Sequence, residues 1–169
     1  MANPSIEHID DFLSSDKFLD GLHPQWGEGY LGVQQFRWNI VDSLGVGLRA
    51  HLVVSLKASL DRPTVSLVVL GHPVYRLDVV PDSEEKANPP WAAALGLPNY
   101  VNGTHTHPWY ANKEHVAKNW DKTLPCREPI LQKLSELEHV IAHVAETLGI
   151  TMTNEQRVVY LPDQGRFIN

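Results

Sequence analysis

The chain has 169 residues, 43% of them hydrophobic and 20% charged, an ordinary balance for one globular domain spanning 1–169 with room for a core. A net charge of −6 with histidines neutral argues against a broad electrostatic grip on nucleic acid, and no apolar run approaches the ~20 residues that span a membrane. The lone Cys126 excludes an internal disulfide, and Met1–Glu7 lacks a basic stretch followed by an apolar block, so a reducing cytoplasmic setting is expected.

Asn3 as cap, Pro4 at the first position and Ile6, Ile9 and Leu13 at helical spacing predict a short N-terminal helix. A brief turn over Asp16–Leu19 should stop at Gly21. The period then changes to two. Phe36, Trp38 and Ile40 alternate with Arg37 and Asn39, and Leu48 to Leu56 alternates with Arg49, His51 and Ser55. Val65–Leu70 is apolar on both faces. In Val74–Val80, Tyr75, Leu77 and Val79 share one face and Arg76 and Asp78 the other. Gly45/Gly47, Asp61-Arg62-Pro63 and Gly71-His72-Pro73 punctuate these runs, which predicts four consecutive antiparallel strands, a meander.

Residues 81–98, with four prolines and one helical turn at Trp91–Leu95, make a connection long enough to serve as a lid or binding element. Tyr100–His107 reads as a fifth strand ended by Pro108, and Trp109–Pro125 as irregular or briefly helical. Pro129 opens and Gly149 closes a long helix whose stripe runs through Ile130, Leu134, Leu137, Ile141, Val144 and Leu148. Arg157–Leu161 reads as a last strand. The expected fold class is α+β: a mostly antiparallel sheet of five or six strands, packed by one long C-terminal helix and a short N-terminal helix.

The chemistry concentrates in Gly103-Thr104-His105-Thr106-His107-Pro108-Trp109. His105 and His107 are two apart on an extended segment, so both imidazoles emerge on one face. Such a pair can share acid–base work near neutral pH or bind zinc or another divalent metal. A metal site needs a third ligand, for which His115, Glu114 and Asp121 lie downstream. Arg76 and Asp78 also share a face. If their strand pairs with that of the histidines, one imidazole can take a proton, the other, charged, can give one, Arg76 can hold a phosphate and Asp78 can fix a tautomer.

Trp91, Trp109 and Tyr75 are candidate substrate-binding aromatics. His139 and His143, four apart on the long helix, fit a solvated face. Cys126, just ahead of that helix, is a buried small apolar residue or, less simply, a thiol activated by the helix N-terminus and Arg127.

His-Thr-His-Pro is similar to the signature of JAMM zinc metalloproteases, but the Ser-x-x-Asp that family places downstream is absent from Glu114–Ala117. The ordered layout of Tyr75, Arg76 and Asp78, a loop, His105 and His107, Leu124-Pro125 and a helix resembles the TumE family of toxins from bacterial toxin–antitoxin pairs. Residue 77 is Leu where that family carries an aromatic, and the loop is longer. The resemblance implies a small α+β domain acting on RNA. Three functions are therefore expected to compete. One is a small hydrolase, ribonuclease-like, acting on RNA or a small phosphorylated ligand through His105, His107, Arg76 and Asp78. The second is a zinc protein or metallohydrolase on His105, His107 and His115. The third is a non-enzymatic inhibitor or antitoxin-like protein with a protein partner.

Overall fold

The computed structural model describes residues 3–57, 62–120 and 123–162. Helix α1 (Ile6–Ser14) opens the chain. Ser5, not Asn3, caps it: the Ser5 hydroxyl accepts from the His8 N–H at 3.1 Å, the usual way a helix satisfies a free first-turn donor. Lys17 closes its other end. The ammonium donates to the carbonyls of Phe12, Leu13 and Ser15 at 3.1, 2.8 and 2.6 Å, so a cation sits on the orphan acceptors at the helix C-terminus.

The segment expected as a turn, Asp16–Leu19, contains strand β1 (Lys17–Leu19), because Leu19 is needed in the core and the backbone ladder with its neighbours outweighs a local turn. Strand β2 (Gly27–Glu28) is an edge piece. The meander follows as β3 (Gln34–Val41), β4 (Gly47–Leu56), β5 (Pro63–Val69) and β6 (His72–Asp78). Each pairs antiparallel with the next. Then come β7 (Glu85–Ala87), β8 (Tyr100–Asn102), β9 (His105–His107), helix α2 (Trp109–Asn119), β10 (Glu128–Pro129), helix α3 (Leu137–Thr147) and β11 (Ile150–Thr151). A short 3-10 turn at Pro90–Leu95 sits in the long connection, as expected.

The main sheet has nine strands, more than the five or six expected, with the order β10-β9-β6-β5-β4-β3-β1-β11 and β2 also on β3. Five of the nine are only two or three residues long, too short to leave an alternation in the sequence. Tyr100–His107 is not one strand. Gly103, at φ +73°, breaks it, so β8 pairs with β7 in a separate two-stranded sheet while β9 joins the main sheet beside β6.

The long helix begins at Leu137, not Pro129. Glu128 and Pro129 pair with Thr106 and His105 instead, and the Ile130 N–H continues that ladder to the Thr104 carbonyl. A residue bonded along a sheet edge cannot also open a helix. Ile130 and Leu134 still pack into the core, which is why the apolar stripe read as continuous. Arg157–Leu161 forms no strand; the last pairing is β11 with β1, the one parallel pair described.

One face of the sheet is the core. Phe36, Trp38, Ile40, Leu52, Val54, Leu56, Val65, Leu67 and Leu77 meet Ile9 of α1 and Val140, Ile141 and Val144 of α3 there. Burying each large aliphatic contributes about 1.5–3 kcal/mol, which fixes strand register against a one-residue slip. The other face is therefore polar by construction. No helix among the described residues is long and apolar enough to cross a membrane.

Candidate functional site

Strand register lays two mostly polar rows of side chains across the open face. One runs Gln35, Ser55, Thr64, Asp78, His105 and the next Arg37, Val53, Ser66, Arg76, His107. Two features set this alignment. The β5–β6 hairpin turns on Leu70 and Gly71, both at positive φ (52° and 86°), the two-residue turn that matches strand twist. A bulge between Leu67 and Val68 of β5 and the facing β6 then shifts the pairing by one residue. Without it Thr64 would face Leu77 rather than Asp78.

His105, Asp78 and Arg76 border a cleft of about 570 Å³, whose other lining includes Thr64, Lys57, Arg62, Lys86 and Arg127. The two histidines are buried, with ring centroids 5.1 Å apart. Each has one nitrogen tied to main chain: His105 Nδ1–H donates to the Gly103 carbonyl at 2.8 Å and His107 Nδ1–H to the Leu124 carbonyl. A carbonyl only accepts, so the proton of each neutral ring is on Nδ1 and each Nε2 offers a lone pair.

The two lone pairs have different fates. His107 Nε2 accepts from Arg76 Nη2 at 2.9 Å, while Arg76 Nε donates to Asp78 Oδ2 at 2.9 Å. His107 Nε2 and Asp78 Oδ2 are 3.2 Å apart, two acceptors held together by one guanidinium. His105 Nε2 lies 3.7 Å from the same Oδ2 and faces no protein donor at hydrogen-bond distance among the described residues. Of the two imidazoles, only His105 lines the cleft.

Burial pushes both histidines below the ordinary imidazole value; at His107 the Arg76 charge adds to this, with Asp78 pulling the other way. Burial also opposes ionisation of Asp78. There the Arg76 guanidinium and the Thr64 hydroxyl, donating to Oδ1 at 2.9 Å, outweigh it and hold the carboxyl well below the usual range. Near neutral pH the site is thus Asp⁻, Arg⁺ and two neutral imidazoles. A charged imidazole acid, expected as half of the pair, does not fit this environment.

The other expected residues separate. His115 stacks on Trp91 with centroids 5.4 Å apart and is not with the pair. The group of three metal-capable side chains among the described residues is Asp78, His105 and His107, so neither His115 nor the exposed Glu114 is the third ligand. Asp121 lies outside the described residues, as does Asp61. Trp91 is 45% exposed and not on the cleft wall. Trp109 is buried between α1 and the sheet, its indole N–H donating to Asp10 at 2.8 Å. Tyr75 is buried on the core face, opposite Arg76.

Cys126 does not precede a helix. It is fully buried with Ala92, Leu97 and Ala111, burial raises its thiol pKa, and Asn112 brackets its backbone with two hydrogen bonds. His139 and His143 lie off the buried stripe of α3 and belong to no metal-capable group among the described residues. Thr64 and Arg127 were not legible as site residues. Thr64 depends on the bulge, and Arg127 enters through a fold-back over 124–129 that carries no periodic signal. Set against family models, curated proteins and solved structures, the chain matches none, so the site is read from its own geometry.

Proposed function

We propose that the protein is a phosphoester hydrolase working by proton transfer at His105. The observation that carries this reading is the fixed tautomer: Nδ1–H is anchored on Gly103, which leaves a basic Nε2 beside a cleft lined by cations. With RNA as substrate, His105 Nε2 takes the proton of a 2′-hydroxyl as its oxygen bonds to phosphorus. The bond to the 5′ oxygen breaks, and the imidazolium returns the proton to that oxygen, leaving a cyclic phosphate and a free 5′-hydroxyl. With a small phosphorylated ligand, water takes the place of the hydroxyl. Arg76 binds the phosphate; Asp78 and His107 hold its guanidinium in place.

A second reading, a zinc or other divalent-metal hydrolase, is favoured by one further observation. The donor atoms of Asp78, His105 and His107 lie within 4.8 Å of one another, and both histidines have the backbone-anchored Nδ1–H typical of metal ligands. Against it, Arg76 Nη2 already occupies His107 Nε2 and has to leave before a cation enters.

The test is cleavage of a dinucleoside phosphate and of a simple phosphomonoester, with and without a chelator. Proton transfer typically contributes 10²–10⁴-fold, so His105→Asn should cut kcat at least about 100-fold with an unchanged melting temperature. Cleavage that survives chelation supports the first reading. Cleavage lost on chelation and restored by zinc supports the second. A wild-type protein inert towards both substrates under both conditions removes both.

A further inference from the structure

Five of the chain's fourteen Lys and Arg residues, Lys57, Arg62, Arg76, Lys86 and Arg127, line the cleft, with only two of its twenty Asp and Glu, Asp78 and Glu84. An acidic protein thus carries one hollow in which positive charge outnumbers negative.

Arg127 is the least explained of these. Its Nη1 donates to the carbonyls of Ala87 and Pro125 at 2.9 and 3.1 Å, and its backbone N–H to Asn88 Oδ1 at 2.7 Å, so the side chain is held rigidly. Its Nε–H has no acceptor, and no carboxylate pairs with it among the described residues. The Nε–Nη2 edge, the fork that can grip a phosphate bidentately, therefore lacks a protein partner among the described residues, with Nε itself buried and Nη2 left for an anion. Arg76 spends Nε and Nη2 on Asp78 and His107, which leaves Nη1 for the cleft. Both guanidiniums push His105 the same way, towards its neutral form, and Arg127 feels the charge of Arg76 directly. Two fixed like charges beside one base, one of them with an empty fork, describe a seat for an anion.

We infer that Arg127 and Arg76 form a phosphate clamp over His105 and that the ligand is a small phosphorylated molecule with a second anionic group, met by Lys57, Arg62 and Lys86. This deepens the hydrolase reading and rests on it. Size and charge favour a small ligand over a long strand. A cavity of about 570 Å³ suits a nucleotide-sized molecule. Outside the cleft the protein is acidic and would repel further phosphates.

The experiment is calorimetric titration with adenosine 3′,5′-bisphosphate and with a short single-stranded RNA, each at two salt concentrations. The bisphosphate should bind. Arg127→Gln should weaken it at least about tenfold, as loss of a charge-assisted fork predicts, while Arg157→Gln, exposed and away from the cleft, leaves it unchanged. Bisphosphate affinity within about twofold of wild type in folded Arg127→Gln overturns the clamp. RNA that binds more tightly than the bisphosphate overturns the small-ligand assignment. Should Arg127→Gln not fold, Lys57→Gln at the exposed rim carries the test: weakening by about threefold supports the cationic seat, and no change overturns it. Binding without turnover removes the hydrolase reading alone; turnover indifferent to Arg127→Gln removes the clamp alone.

Discussion

At the scale of single residues, the site turns on which nitrogen carries a proton. Both imidazoles are buried and pushed below the ordinary value of about 6.5. A folded-state value below the unfolded one means that the unfolded chain binds protons first on acidification. The contribution of the pair is therefore complete above about 6.5 and is lost as pH falls through that value towards the depressed ones. Asp78 follows the carboxylate pattern: its contribution is complete above about 3.9 and is lost further into acid. The melting temperature should thus fall in two stages below neutrality. Replacing His105 by Asn should diminish the first stage and spare the second. The kcat/KM profile should place its acid limb below about 6.5, because His105 stays basic to lower pH than a free imidazole. An acid limb above 7 would contradict a buried, neutral base.

At the scale of elements, β9 owes its place to the residue before it. Gly103 sits at φ +73°, and a Cβ there would come 2.8 Å from Asp82 Oδ1 and 3.2 Å from the Asp82 Cα. Gly103→Ala adds left-handed strain to a clash with the Asp82 carboxylate and a tight contact with its Cα, at a cost of about 1–3 kcal/mol. It also moves the carbonyl that anchors His105, so kcat should fall together with stability; denaturant unfolding and steady-state rates on the same variant check both. A Gly103→Ala protein with normal turnover would mean that the Gly103–His105 bond does not set the tautomer.

This junction also marks what was legible. The meander declares itself because long strands against a core alternate visibly, and the shared face of Arg76 and Asp78 follows from period two. The shared face of His105 and His107 follows in the same way. The bulge that brings Asp78 opposite Thr64 leaves no sequence mark, and neither do strands of two or three residues such as β1, β10 and β11. The apolar stripe from Ile130 is genuine, but it records burial rather than helix, since an irregular segment can bury the same side chains.

At the scale of the whole molecule, the sheet separates a working end from a closing end. β5, β6 and β9 carry the cleft towards one edge; β1 and β11 pair an early and a late segment of the chain at the other. Gln156 fastens that seam. It is 4% exposed, its amide donates to the carbonyls of Leu19 and Gly21 at 3.1 and 2.6 Å, and its oxygen accepts the Thr153 N–H at 2.9 Å. Gln156→Ala removes the side-chain partner of three backbone groups, of which the Leu19 carbonyl is buried, a loss of about 1–3 kcal/mol, or roughly 2–12 °C in melting temperature for a chain of this size. Three strands lie between the seam and β6, and rigid pairing transmits little from an edge that remains folded. Turnover per folded molecule at 25 °C should therefore match wild type while the midpoint of thermal unfolding drops. A fall in kcat in the folded variant would show that the seam sets the geometry of the cleft, and the two ends would then have to be treated as one cooperative device.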